Sequence, residues 1–154
     1  MIWTPFSFFE GRWQGTGGGQ PGKSDYERSY EFILSGKFLF VRNKSSYPPQ
    51  EQNPQGENHE DWGILSYDRG RNTYVYRQFH QEGFVNQYVL EQHSPDYKEF
   101  SFVSESIENI PAGWRAKESY RVISPAEFIE TFQLAAPGRD FELYTECHLQ
   151  KSKP

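Results

Sequence analysis

Gly11-Arg12-Trp13-Gln14-Gly15-Thr16-Gly17-Gly18-Gly19 is the stretch whose reading decides the fold. Its spacing is Gly-x-Trp-x-Gly-x-Gly-x-Gly, and a period of two in a β-strand places Gly11, Trp13, Gly15, Gly17 and Gly19 on one face. Glycine is poor strand material by propensity. A bare face is useful where a strand must bend sharply or let a neighbouring backbone come close. Trp13 is then the single large side chain on that face.

The composition agrees with a β reading. Among 154 residues there are 13 Phe, 10 Tyr and 4 Trp, side chains that favour pleated, half-buried surfaces. The formal charge is −5, from 16 Lys and Arg against 21 Asp and Glu, with no long basic run. That argues against nucleic acid or an anionic membrane surface as the partner. Cys147 is the only cysteine, so no disulfide forms within the chain. Met1-Ile2-Trp3-Thr4-Pro5 lacks the basic start of a secretory leader, and no apolar run is long enough to insert in a bilayer. A cytoplasmic location is the expectation.

Outward from the glycine stretch, Thr4-Pro5-Phe6-Ser7-Phe8-Phe9-Glu10 reads as one short helical turn, with Thr4 as cap and Pro5 in first position. Turn signals then recur at hairpin spacing. They bound β-type runs at 27–34, 38–46, 61–67, 73–80, 84–91, 99–107, 114–123, 127–134 and 141–150. With the first strand that makes ten, and no long amphipathic helix interrupts them. The fold class is all-β: one antiparallel up-and-down barrel over 1–154, with 150–154 as a solvated tail. The polar, proline-rich stretch 47–60 is long for a connection inside one domain, and it reads as a lid at one mouth or as a plain surface loop.

Alternation assigns faces. Phe84, Asn86, Tyr88 and Leu90 share one, as do Trp114, Ala116, Glu118, Tyr120 and Val122, and Phe128, Glu130, Phe132 and Leu134. Phe38, Phe40, Arg42 and Lys44 form a further set, with Val75, Arg77 and Phe79 on another strand. Charges on core faces are costly unless paired. In a barrel wide enough for a cavity they line a ligand site. The candidate ligand-binding residues are therefore Arg42, Arg77, Asn86, Tyr88, Glu118 and Glu130. Arg42 or Arg77 would pair with an anionic head group, and the two Glu would form an ion-pair network with them.

The Gly11-x-Trp13 pair resembles the short motif of the calycin group, the lipocalins and fatty-acid-binding proteins. Its continuation through Gly15, Gly17 and Gly19, after a short helical turn, is similar to the nitrobindin-like haem-binding barrels. The resemblance implies a barrel closed at one end by Trp13, with a cavity open at the other. It implies a basic side chain, Arg121 or Lys151, across that Trp. It further implies haem as a cofactor held by His148, in Cys147-His148-Leu149, and a chemistry of nitric oxide or related species. The alternation itself puts His148 with Glu142 and Glu146 on the solvent face.

No pair among His59, His80, His93 and His148 has the close spacing of a zinc motif. His80 lies at a strand end near a barrel mouth, and His59 joins the long loop to the next strand. No nucleophile elbow or phosphate-binding loop is present. The sequence thus favours a binding protein for a small, largely apolar, amphipathic ligand over an enzyme, and a homodimer is compatible with it.

Overall fold

The computed structural model describes residues 1–153 and is built of ten strands. They are β1 (Gly11–Gly19), β2 (Ser24–Ile33), β3 (Phe38–Tyr47), β4 (Glu57–Asp68), β5 (Thr73–His80), β6 (Val85–His93), β7 (Glu99–Glu108), β8 (Arg115–Ser124), β9 (Glu127–Ala135) and β10 (Glu142–Lys151). Each pairs antiparallel with its sequence neighbours, and β1 pairs with β10, so the sheet closes with no free edge. A 3-10 turn, Thr4–Phe9, precedes β1, with Trp3 rather than Thr4 at its cap. Among the described residues no helix is long and apolar enough to cross a membrane.

Closure at β1 depends on the glycine face. A Cβ on Gly15 would lie 1.8 Å from the His148 carbonyl oxygen on β10. One on Gly17 would meet the Tyr26 ring at 2.6 Å and Cys147 Cβ at 3.1 Å. The space above the glycines is thus filled from both flanking strands, which is the close approach that the motif requires.

Trp13 seals one end. It is 1% exposed, packs edge-on to Phe128 at 4.8 Å between ring centres, and donates its indole N–H to the Phe9 carbonyl at 2.7 Å. Phe6 and Phe9 of the 3-10 turn enter the same end and meet Tyr74, Phe100 and Phe128 in edge-on contacts. Of the two basic candidates, Lys151 is the one over Trp13, with Nζ 5.4 Å from the ring centre. Arg121 is exposed on β8.

Several strand bounds differ from expectation: β2 begins at Ser24 rather than 27, and β4 at Glu57 rather than 61. The chain from 57 to 60, read as loop, belongs to β4, where Glu57, Asn58, His59 and Glu60 pair with Tyr47, Ser46, Ser45 and Lys44. The connection shrinks to 48–56 and is pinned outside the barrel, because Gln50 bonds both the N–H and the carbonyl of Lys23. Within the expected tail, Gln150 and Lys151 continue β10, and Ser152 N–H bonds the Arg12 carbonyl. Pro154 lies outside the described residues.

The glycine face gives a paired test. Gly15→Ala forces β10 away from β1 and should destabilise the protein by about 3 kcal/mol or more in denaturant unfolding. At Gly18 a Cβ meets nothing within 4 Å, so Gly18→Ala should stay within about 0.5 kcal/mol of wild type. Equal effects at both positions would mean that close strand approach is not what the glycines provide.

Candidate functional site

The barrel interior is arranged in three storeys, visible along single strands. On β2, Tyr30, Arg28 and Tyr26 follow one another inward-facing; on β3, Val41, Asn43 and Ser45 do. β5 presents Tyr76, Gln78 and His80, and β9 presents Phe128, Glu130 and Phe132. The first residue of each set belongs to the aromatic floor above Trp13, the second to a polar belt, and the third to the open chamber. Register carries the belt across strands, since Arg28 pairs with Asn43, Asn43 with Asp61, and Gln78 with Asn86.

Arg28 is the centre of the belt. Its guanidinium grips Glu130 with two bonds of 2.7 and 3.1 Å, donates Nε–H to Asn43 Oδ1 at 2.8 Å, and reaches the Tyr30 hydroxyl at 3.2 Å. Burial works against its charge, but the Glu130 carboxylate outweighs that and holds Arg28 firmly protonated. Burial pushes the Tyr30, Tyr76, Tyr88 and Tyr120 phenols up, so they remain neutral. It also pushes the Cys147 thiol up, making that cysteine a poor nucleophile.

The belt continues through Asn43, whose Nδ2 donates to Asp61 Oδ2 at 3.0 Å, and Gln78, whose Nε2 donates to Asp61 Oδ1 at 2.9 Å. Gln78 Oε1 has no hydrogen-bond partner. His59 Nε2 lies 3.2 Å from Asp61 Oδ2, its Nδ1 lies 2.7 Å from Glu82, and His80 Nδ1 is 3.5 Å from His59 Nε2. Burial disfavours the charged His59 ring, but its bonds to Asp61 and Glu82 dominate and raise it to about 9. Burial lowers His80. For Asp61, burial opposes ionisation, but the His59 bond, the His80 ring and Gln78 together keep it below the usual carboxylate range.

Above the belt lies a cavity of about 500 Å³, open at the end opposite Trp13. Its upper wall is apolar, with Phe84, Ile107, Ile110, Trp114, Phe132 and Leu134. Its lower wall is the belt. None of the residues 48–56 lines it, so the long connection is not a lid.

Of the residues singled out from sequence, Asn86, Tyr88, Glu118 and Glu130 face the interior. Asn86 Nδ2 donates to the Tyr88 hydroxyl at 2.9 Å, and the Tyr120 hydroxyl donates to Glu118 at 2.5 Å. Arg42 and Arg77 do not join them. Both are on the outer surface: Arg42 lies 5.0 Å over the Trp62 ring, and Arg77 bonds Gln87 at 3.2 Å. The phase of β3 and β5 is opposite to that read from the sequence, because the inward face carries the polar belt while Phe40, Trp62 and Phe79 are on the outside. Glu130 takes Arg28 as its partner instead. Arg28 was missed, although Tyr26-x-Arg28-x-Tyr30 alternates with Asp25, Glu27, Ser29 and Glu31 and so marks an inward arginine. His59 and His80 are brought together by β4–β5 pairing, which sequence spacing alone does not show.

Haem ligation through His148 does not fit this geometry. Its side chain is 53% exposed on the outer face of β10, 3.4 Å from Glu146, whereas an axial ligand must point inward. The two histidines that reach the cavity sit among carboxylates, and His59 already meets one at each ring nitrogen.

No protein-family model and no curated protein matches the chain. Among solved structures it is similar to Rv2717c from M. tuberculosis, with a TM-score of 0.70 and 16% identity over 98% of this chain and 97% of that one. At that identity the likeness is one of fold.

Glu118 gives the belt a pH signature. Burial, and after it the charge of Glu130, raises its carboxyl from 4.5 to about 8. Folded Glu118 therefore keeps a proton that the unfolded chain releases, so stability falls as pH rises between those values. Glu118→Gln, a neutral stand-in for the protonated acid, should remove that loss. Its melting temperature should exceed wild type's by several degrees at pH 8 and by little at pH 4.5. A difference that is constant with pH would contradict a protonated Glu118.

Proposed function

We propose that this chain is a binding protein that holds one small ligand in the barrel, with an apolar body against the upper wall and a hydrogen-bond-donating end on the belt. The observation that carries this is the cavity itself, about 500 Å³, with apolar side chains on its upper wall and the polar belt below. The likeness of Gly11–Gly19 to calycin barrels supports the same reading.

The charge balance of the lining sets the polarity of the ligand. Five carboxyl groups, Glu57, Asp61, Glu82, Glu130 and the protonated Glu118, face the cavity, and its one guanidinium already bonds Glu130, Asn43 and Tyr30. An anionic head group, expected from Arg42 and Arg77, finds no free arginine here. An alcohol or amine finds acceptors.

The test uses chelator-treated protein and the neutral fluorophore 1-aminoanthracene. Its emission should rise on entering the cavity, and decanol or decylamine should displace it at pH 7 at least tenfold more effectively than decanoate. Leu134→Trp should abolish the signal while melting within a few degrees of wild type. Dye uptake that Leu134→Trp leaves unchanged would remove the cavity from the account, and preferential displacement by decanoate would reverse the ligand's polarity.

A further inference from the structure

We propose that His59, Asp61 and His80 form a binding site for a divalent first-row transition metal ion at the β4–β5 wall of the cavity. His59 and Asp61 are two apart on β4 and so point the same way, and His80 on β5 is the cross-strand partner of Asp61. The pairing brings two imidazole nitrogens and one carboxylate oxygen to a common point, all within 4.8 Å of one another. This arrangement is separate from the ligand reading above, because it uses one edge of the lining and needs no organic molecule.

Two of the three spacings match the edges of a coordination polyhedron. With metal–nitrogen and metal–oxygen bonds of about 2.0–2.1 Å, neighbouring ligand atoms lie roughly 3.0 Å apart in an octahedron and 3.4 Å in a tetrahedron. His59 Nε2 is 3.2 Å from Asp61 Oδ2 and 3.5 Å from His80 Nδ1. Both are close to those edges.

The groups behind the ligands are also those of a metal centre. Ligating histidines donate their second ring N–H to a carboxylate, and ligating carboxylates are held by further donors. Glu82 lies 2.7 Å from the far nitrogen of His59, and Asn43 and Gln78 each donate to Asp61. Two nitrogens and one oxygen without thiolate suit zinc, cobalt, iron or manganese rather than copper(I), and three protein ligands leave positions for water or a cavity-bound molecule. A second grouping, Glu57, His59 and Glu82, uses the other nitrogen of His59. It is more exposed, and it would leave Asp61 with no part in the site.

Cobalt is the direct probe. Chelator-treated protein titrated with CoCl2 should develop d–d absorption in the visible with one equivalent, and ZnCl2 should bleach it. His80→Ala and Asp61→Asn should each weaken zinc binding by at least a hundredfold in calorimetric titration, and Glu82→Gln by about ten- to a hundredfold. His148→Ala and Glu57→Gln should leave it unchanged. Wild-type circular dichroism in each variant guards against loss of fold, and the cobalt spectrum of the unmutated protein stands without any variant. Absence of a cobalt spectrum, binding that survives His80→Ala, or loss through Glu57→Gln would each overturn the assignment.

Discussion

The buried ion pair between Arg28 and Glu130 is the interaction on which the interior depends. It joins β2 to β9, two strands that are not neighbours in the barrel, so it ties the walls together through the middle. It also divides the interior. On one side Phe9, Phe100, Phe128 and Trp13 pack as an ordinary aromatic core; on the other a chamber stays open. A belt of fully apolar residues could collapse and fill that chamber. Charged groups that are bonded to one another resist this, because displacing either leaves an unpaired buried charge.

From this pair the polar order spreads in both directions. Arg28 fixes Asn43, Asn43 fixes Asp61, and Asp61 gathers Gln78 and His59. On the other side Glu130 lies close enough to Glu118 for its charge to favour the protonated form there. The belt therefore holds few bare charges despite its many carboxylates. What it offers to the chamber is mainly acceptors.

The architecture was legible in the sequence because its signals are local. The glycine period, the turn residues and the aromatic bias fix ten strands, and the barrel follows since closure removes the edges. Trp13 as the seal came from the same motif. The site was half legible. On β6, β8 and β9 the inward face is apolar around one polar residue, so Asn86, Glu118 and Glu130 could be picked out. On β3 and β5 both faces mix aromatic and polar side chains, and hydrophobic alternation then points the wrong way, bringing Arg42 and Arg77 in where Asn43 and Gln78 belong. The histidine pair is a different failure: 21 residues apart in the chain, His59 and His80 meet through strand register, which no spacing rule reveals.

The claim that the belt is a mutually dependent unit centred on Arg28 and Glu130 is tested most directly by a double-mutant cycle. Urea unfolding would be measured for Arg28→Met, Glu130→Leu and the pair together. Each single change should destabilise the protein by about 3–5 kcal/mol, because it strands a buried charge. The double variant should be more stable than either single one. If instead the two losses add, the pair is not coupled, and the interior is not organised around it.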